Sequence, residues 1–310
     1  MDKLLEKVSF SGHETFTFRY SWLPKAVKAL ADEKKPSCLF SEDNALISLG
    51  VGKNMVKSIK HWCLLTDLIE EPKGKKYSAK KYYQPTDLAK LIFLSEDKGD
   101  PYLEDPATLW LLHWNIATKS ERATTWYWAF NNLNRSDFTK KILYKDLMKL
   151  AKEKDADIAE NTIKRDIDCF IRMYVPSKIT KSTNIEEVLD CPLVDLDLIR
   201  ELDDHETYEF VKSEKANLPI EIFAYCLMEF WENHFPHFES LNIEDIQYKA
   251  NSPGKIFKLT EDSTVSRLME LSEFTEQKLH FDETAGLKQI YKKDRIDYKN
   301  FLAQYYNSMN

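Results

Sequence analysis

Residues 105–118, DPATLWLLHWNIAT, are apolar almost all the way around a helical wheel. A helix without a polar face cannot lie on a surface, so the rest of the chain must enclose it. Asp105 suits the N-cap and Pro106 the first helical position, which sets where this helix begins. A second aromatic run, TTWYWAF (124–130), follows closely, and Trp110, Trp114, Trp126 and Trp128 fall within 19 residues. Rings so placed read as a packed core and not as a platform for stacked bases. The chain has 310 residues, enough for two or three domains around such a core. Its 7 glycines leave little for a Gly-rich phosphate cradle, so any ATP use is expected to come from a partner.

The net charge of −7 hides a division. Residues 1–176 carry 29 Lys+Arg against 25 Asp+Glu, whereas 177–310 carry 15 against 26. Duplex DNA is the expected partner of the basic N-terminal half. A protein is the expected partner of the acidic C-terminal half, which repels phosphates. Five scattered cysteines with no CxxC pair point to a reducing cytoplasm. The start, MDKLLEKVSFSG, lacks the apolar core of a signal peptide, and no apolar run approaches the length of a membrane span.

The order of elements predicts a mainly α, multi-domain chain with two or three winged-helix-like units, each a helix-turn-helix plus a short β-hairpin. In the first, Ser41 caps a helix with Ala45, Leu46 and Leu49 inward, and Gly50 stops it in the left-handed region. A second helix from about Lys53 turns Met55, Val56, Ile59, Trp62 and Cys63 inward. Lys53, Lys57 and Lys60 recur at i, i+4 and i+7 and, with Asn54, make its outer face. Leu68–Glu70 and residues 75–83 predict a hairpin around PKGK (72–75), which carries Lys73, Lys75 and Lys76. A winged helix puts its second helix in the major groove and its wing on the backbone. Eight lysines against three acidic residues over 51–81 fit that use.

A helix-turn-helix at 140–174 repeats this pattern. Asn161 is the expected cap of its second helix, and Ile163, Ile167, Phe170, Ile171 and Tyr174 keep the helical period. Lys164, Arg165 and Arg172 stay polar, while Asp166 and Asp168 dilute their charge. Farther on, LPIEIFAYCLMEFWENHF (218–235), helices near 243–249 and 260–271 and a hairpin over 279–292 suggest a third, acidic unit. The expected division is 1–135 with the Trp-rich core, 136–176, a linker over 177–189, and 190–310.

Catalytic signatures are scarce. No GxSxG elbow, HExxH pair or complete phosphate loop occurs, so neither nucleotide nor zinc is expected. In FSGHETFTFRYSWLPK (10–25), His13 and Glu14 offer an acid–base or ligand pair, or else a structural histidine and a capping glutamate on an edge strand, and Arg19 offers a phosphate-binding fork. Phe16 and Phe18 alternate as in a strand with its rings inward. Asp100, Glu104 and Asp105 in GDPYLEDP supply oxygen ligands of the kind Mg²⁺ takes, and serve equally as turn former and helix cap. The candidate catalytic set is His13, Glu14, Asp100 and Glu104, with no defined metal ligand set.

SGHETFTFRYSWLPK, LGVGKNMVKSIKHW (49–62), DPYLEDPATLWLLHW (100–114), SPGKIF (252–257) and DETAGLKQIY (282–291) together resemble the SspB family of single-stranded DNA phosphorothioation systems in bacterial phage defence. That resemblance implies a DNA nickase that acts with a cysteine desulfurase, an ATPase and a sulfur-inserting ATP pyrophosphatase, the latter enzymes being expected at the acidic half. A nick would loosen one strand so that sulfur can replace a non-bridging phosphate oxygen. The alternatives are a non-enzymatic DNA-binding scaffold that recruits the sulfur-transfer enzymes, and a transcriptional regulator, which the length and the lack of a dimer signature disfavour.

Overall fold

Every side chain from Ala107 to Ala117 is buried in the computed structural model, inside a helix that runs Pro106–Thr118. Asp105 caps it by accepting from Ala107 N–H at 2.7 Å. The structure describes all residues except 1–4, 6, 32–36, 42–44, 73–80, 96–97, 178–190, 285 and 310.

Around this helix the chain uses one local order three times. It first runs through α1 (Trp22–Ala31), the bridge residue Ser37, α2 (Ala45–Leu49), α3 (Lys53–Leu65), β1 (Ile69–Glu70), β2 (Gln84–Pro85) and α4 (Asp87–Phe93). The buried helix, α5 (Pro106–Thr118), and α6 (Thr124–Asn131) come next. Then follow β3 (Asp137–Thr139), α7 (Lys140–Glu153), α8 (Glu160–Tyr174), β4 (Ile199–Glu201) and β5 (Thr207–Phe210). The last stretch holds α9 (Ile220–His234), β6 (Ser240–Asn242), α10 (Ile243–Tyr248), α11 (Pro253–Ile256), α12 (Glu261–Phe274), β7 (Leu279–Thr284), β8 (Leu287–Lys292) and α13 (Lys299–Ser308).

In each repeat a short strand precedes the helices and then pairs antiparallel beside the last strand of the hairpin that follows them. Ser37 bridges Tyr83 next to β2, and the sheets run β3-β5-β4 and β6-β8-β7. Phe138 lies opposite Tyr208, and Leu241 opposite Ile290. All four side chains are buried, because a small sheet with one covered face is stable only when that face packs on its helices. The protein is therefore mainly α with small antiparallel sheets.

The polar side chains of α5 act as ties, since a buried polar group needs a partner. Asn115 Nδ2 donates to Thr66 O at 3.0 Å, and Thr108 Oγ1 meets Tyr306 Oη of α13 at 2.9 Å. His113 lies 2.9 Å from Tyr174 Oη through Nδ1 and 3.1 Å from the Ile256 carbonyl through Nε2. A carbonyl can only accept, so Nε2 carries the proton and Nδ1 accepts from the tyrosine. One imidazole thus joins α5, α8 and α11.

Some local expectations change. No strand forms at Phe16–Phe18, because Ser11, Glu14 and Thr15 take φ of 72°, 50° and 68°, which coils the segment. Both rings still turn inward, Phe16 toward Trp22 and Phe18 toward Trp62. Ala159 rather than Asn161 precedes α8, and the returning strand of the first hairpin lies at Gln84–Pro85, just past 75–83. The wing lysines Lys73, Lys75 and Lys76, and 178–189 of the expected linker, lie outside the described residues. Among the described residues no helix is long and apolar enough to cross a membrane.

Burial holds His113 down from 6.5 to about 3. Between those values the unfolded chain binds a proton that the folded chain refuses, so stability falls as pH drops below 6.5. The expected loss at pH 5 is about 2 kcal/mol from this side chain alone. Urea midpoints at pH 7.5 and pH 5 measure it, and the drop should shrink in His113→Gln.

Candidate nucleic-acid interface

The N-terminal loop is the piece on which two outer helix faces converge. Its shape starts from α3, where Gly50 takes φ of 63° and ends α2, as the left-handed position demands. The turn sends Val56, Ile59, Trp62 and Cys63 into the core and leaves Lys53, Asn54 and Lys57 exposed, with Lys60 half-buried. Gly12 passes so close to α3 that an added Cβ would stand 2.3 Å from His61 Nδ1 and displace that ring.

Asp166 of α8 fastens this loop. Its Oδ1 accepts from Ser11 N–H at 2.8 Å and lies 2.6 Å from His13 Nε2, while Oδ2 accepts from Thr125 Oγ1 of α6 at 2.5 Å. His13 Nδ1 accepts from Thr15 N–H at 3.0 Å, so the ring proton sits on Nε2 and is donated to Asp166. The imidazole stacks on Trp62 at 5.8 Å between centroids and meets Trp126 edge-on at 5.6 Å. His13 and Asp166 are each 1% exposed. Both ring nitrogens of His13 are engaged inside the protein, which gives it an anchoring part. His61 borders the group and is held down to about 4, by burial first and by His13 second.

Residues just past the anchor reach both helices. Lys57 Nζ pairs with Glu14 Oε1 at 3.3 Å, and Arg172 donates to the Thr15 carbonyl at 2.6 Å. Thr15, Lys140, Arg165, Asp168 and Arg172 line a shallow cleft of about 530 Å³. Lys140 pairs with Asp168 at 2.6 Å, and Arg165 is exposed beside them. The outer face of α3 and that of α8 therefore meet across two consecutive loop residues. Asp166 faces the core, so of the two acids in α8 expected to dilute its charge only Asp168 does so at this surface.

The other sequence candidates lie elsewhere. Arg19 is half-buried with its guanidinium 5.5 Å from the centre of the Trp22 ring. Asp100 is 4% exposed and accepts from the backbone N–H of Glu104 and Asp105 at 2.8 and 3.1 Å, closing the turn into α5. Gly99, at φ of 80°, lets that turn lie against the carbonyls of Leu91 and Ile92. Glu104 is exposed at its edge. Among the described residues no hydrogen bond or ion pair joins this turn to His13 or Glu14. Nor do any three His, Cys, Asp or Glu side chains among them gather as a metal cage.

A family described as "Protein of unknown function (DUF4007)" matches residues 10–306. The chain belongs to that family. Among solved structures, two are similar to this DUF4007 chain over almost their whole length. A magnesium ion-bound SspB matches with a TM-score of 0.87 at 28% identity, over 100% of this chain and 91% of its own. A second SspB structure matches with 0.86 at 28% identity, over 99% and 91%. The DUF4007 chain is thus SspB-like, as the sequence motifs imply. No curated protein matches it.

One spacing in the sequence marks the anchor. Ile163, Asp166, Ile167 and Phe170 follow i, i+3, i+4 and i+7, which puts an aspartate on an apolar stripe. Asp166→Ala should cost about 3 kcal/mol, because three donors are then left without their buried acceptor. In urea titrations, adding His13→Ala to it should cost well below the single His13→Ala substitution, since both break one network.

Proposed function

We propose that the protein binds duplex DNA across α3, the N-terminal loop and α8, and positions it for phosphorothioate modification in a bacterial phage-defence system. The observation that carries this reading is the meeting of Lys57 and Arg172 at Glu14 and Thr15, which unites the cations of two helices on one surface. Cations on such a surface displace counterions from phosphates, a contribution that needs no base contact. The threefold order of strand, helices and returning hairpin supports winged-helix-like units, in which α3 and α8 are the second helices. The likeness to SspB supports the phosphorothioation setting and, with it, a cytoplasmic location. The acidic C-terminal half then faces the ATPase and sulfur-transfer partners.

A second reading, nicking of the bound strand, is favoured by the magnesium ion named for one solved relative. The sequence candidates fit such an ion poorly. Asp100 already holds two backbone amides and His13 has both nitrogens engaged. Glu14, which pairs with Lys57, and the exposed Glu104 are the carboxylates left on that set.

Replacing Lys53, Lys57, Arg165 and Arg172 with Ala should weaken binding to a 20-bp duplex at least tenfold. It should also lower the salt slope by roughly 0.9 for each phosphate that is no longer neutralised. Unchanged affinity in a fluorescence-anisotropy titration would refute the choice of face. Supercoiled plasmid separates the two readings. Positioning alone leaves it shifted but closed with Mg²⁺, whereas nicking yields open circles that EDTA prevents.

A further inference from the structure

A cavity lined by cations lies where residues 133–136 meet the acidic half of the chain. It lies between the β3–β5 sheet and the α10–α11 corner and has a volume of about 460 Å³. Arg135, Lys212, Lys255 and Lys258 line it, together with Asn134 and Tyr248, and no carboxylate among the described residues does so. Two acids reach only its rim, each held by a lining hydroxyl. Asp137 Oδ1 accepts from Ser136 Oγ at 3.0 Å, and Glu261 accepts from Tyr248 Oη at 3.3 Å.

Lys258 is the unusual member. It is 7% exposed, donates to the Phe130 carbonyl at 3.0 Å, and points its ammonium at the Phe210 ring 4.1 Å away. Burial disfavours its charged form, and Lys255 and Lys212 add like-charge repulsion. Buried cations normally have an acid beside them. This one has two more cations. Its backbone is also held at φ of 54°, and Asn251 at 64°, conformations that non-glycine residues adopt rarely. Gly254 completes the corner, since a Cβ there would stand 2.7 Å from Gln247 Cα. The run 251–258 thus bears local strain, and by it Lys255 and Lys258 reach one cavity. Strain kept at a lined cavity is a mark of a binding site.

We propose that this cavity binds the phosphate of a nucleotide unit. An entering phosphate would relieve the repulsion among the four cations, with Arg135 giving a planar fork and the lysines point charges. Tyr248, 58% exposed at the rim, offers a ring on which the attached base can stack. The volume admits one nucleotide and not a duplex, so the ligand is either a free nucleotide or a strand end or flipped unit of DNA. The site is separate from the α3–α8 face and does not require it to bind DNA.

The test uses the full chain, the 5′-phosphorylated dinucleotide pdTpdT, and a 20-bp duplex. Calorimetry should detect pdTpdT, and Lys212→Ala with Lys255→Ala should weaken it at least tenfold while leaving the urea midpoint in place. Lys258→Met, close in size and uncharged, should do the same, and unphosphorylated dTpdT should bind more weakly than pdTpdT. If the source is DNA, the paired Lys212 and Lys255 substitutions also weaken duplex with a frayed 5′-phosphorylated end, even when the α3–α8 cations are already neutralised. If the source is a free nucleotide, duplex affinity stays unchanged while pdTpdT binding is abolished. Failure of pdTpdT to bind, or binding indifferent to these substitutions and to the terminal phosphate, overturns the proposal.

Discussion

One buried carboxylate sets the geometry of the N-terminal half. Asp166 is 1% exposed, so it takes its donors from the protein, and those it takes lie on separate segments. Ser11 and His13 come from the N-terminal loop and Thr125 from α6, while the carboxylate itself stands on α8. Stacking on Trp62 adds α3 to the same knot. The surface chemistry of Glu14, Thr15, Lys57 and Arg172 depends on this interior arrangement, because the loop has no regular hydrogen-bonded structure of its own. His13, which offers an acid–base group in sequence, is tied at both ring nitrogens within this arrangement.

A comparable logic governs the centre. An all-apolar helix must be enclosed, but apolar contact alone would let its neighbours slide. Thr108, His113 and Asn115 each reach a different part of the chain, so α5 specifies which neighbours lie where. The energy of such a helix comes from burial and its uniqueness from a few satisfied polar groups.

The parts of the fold carried by local rules were readable in the chain. The cap at Asp105, the stop at Gly50, the helix from Lys53 and the hairpin over 279–292 all depend on residues next to one another. Strands of two or three residues, such as β3 and β6, are too short to show a period and exist only through their distant partners. The site was half legible. The lysines of α3 announced themselves by spacing. For His13 and Asp100 a structural and a chemical role both stood open, and the part of Asp166 was not apparent, because each depends on whether a polar side chain faces water or the interior, and composition is silent on that. Charge counted along the chain likewise missed a cavity whose cations come from strands and corners well apart in sequence.

Helix α6 touches both ends of this system. Thr125, near its start, holds Asp166, and the Phe130 carbonyl, near its end, holds Lys258. Five residues separate them, about 7.5 Å along the axis. The helix is short, buried and packed on rings at both ends, so it behaves as a rigid strut. The loop anchor and the buried ammonium of Lys258 therefore keep a fixed spacing through one short helix, so neither can shift without the other.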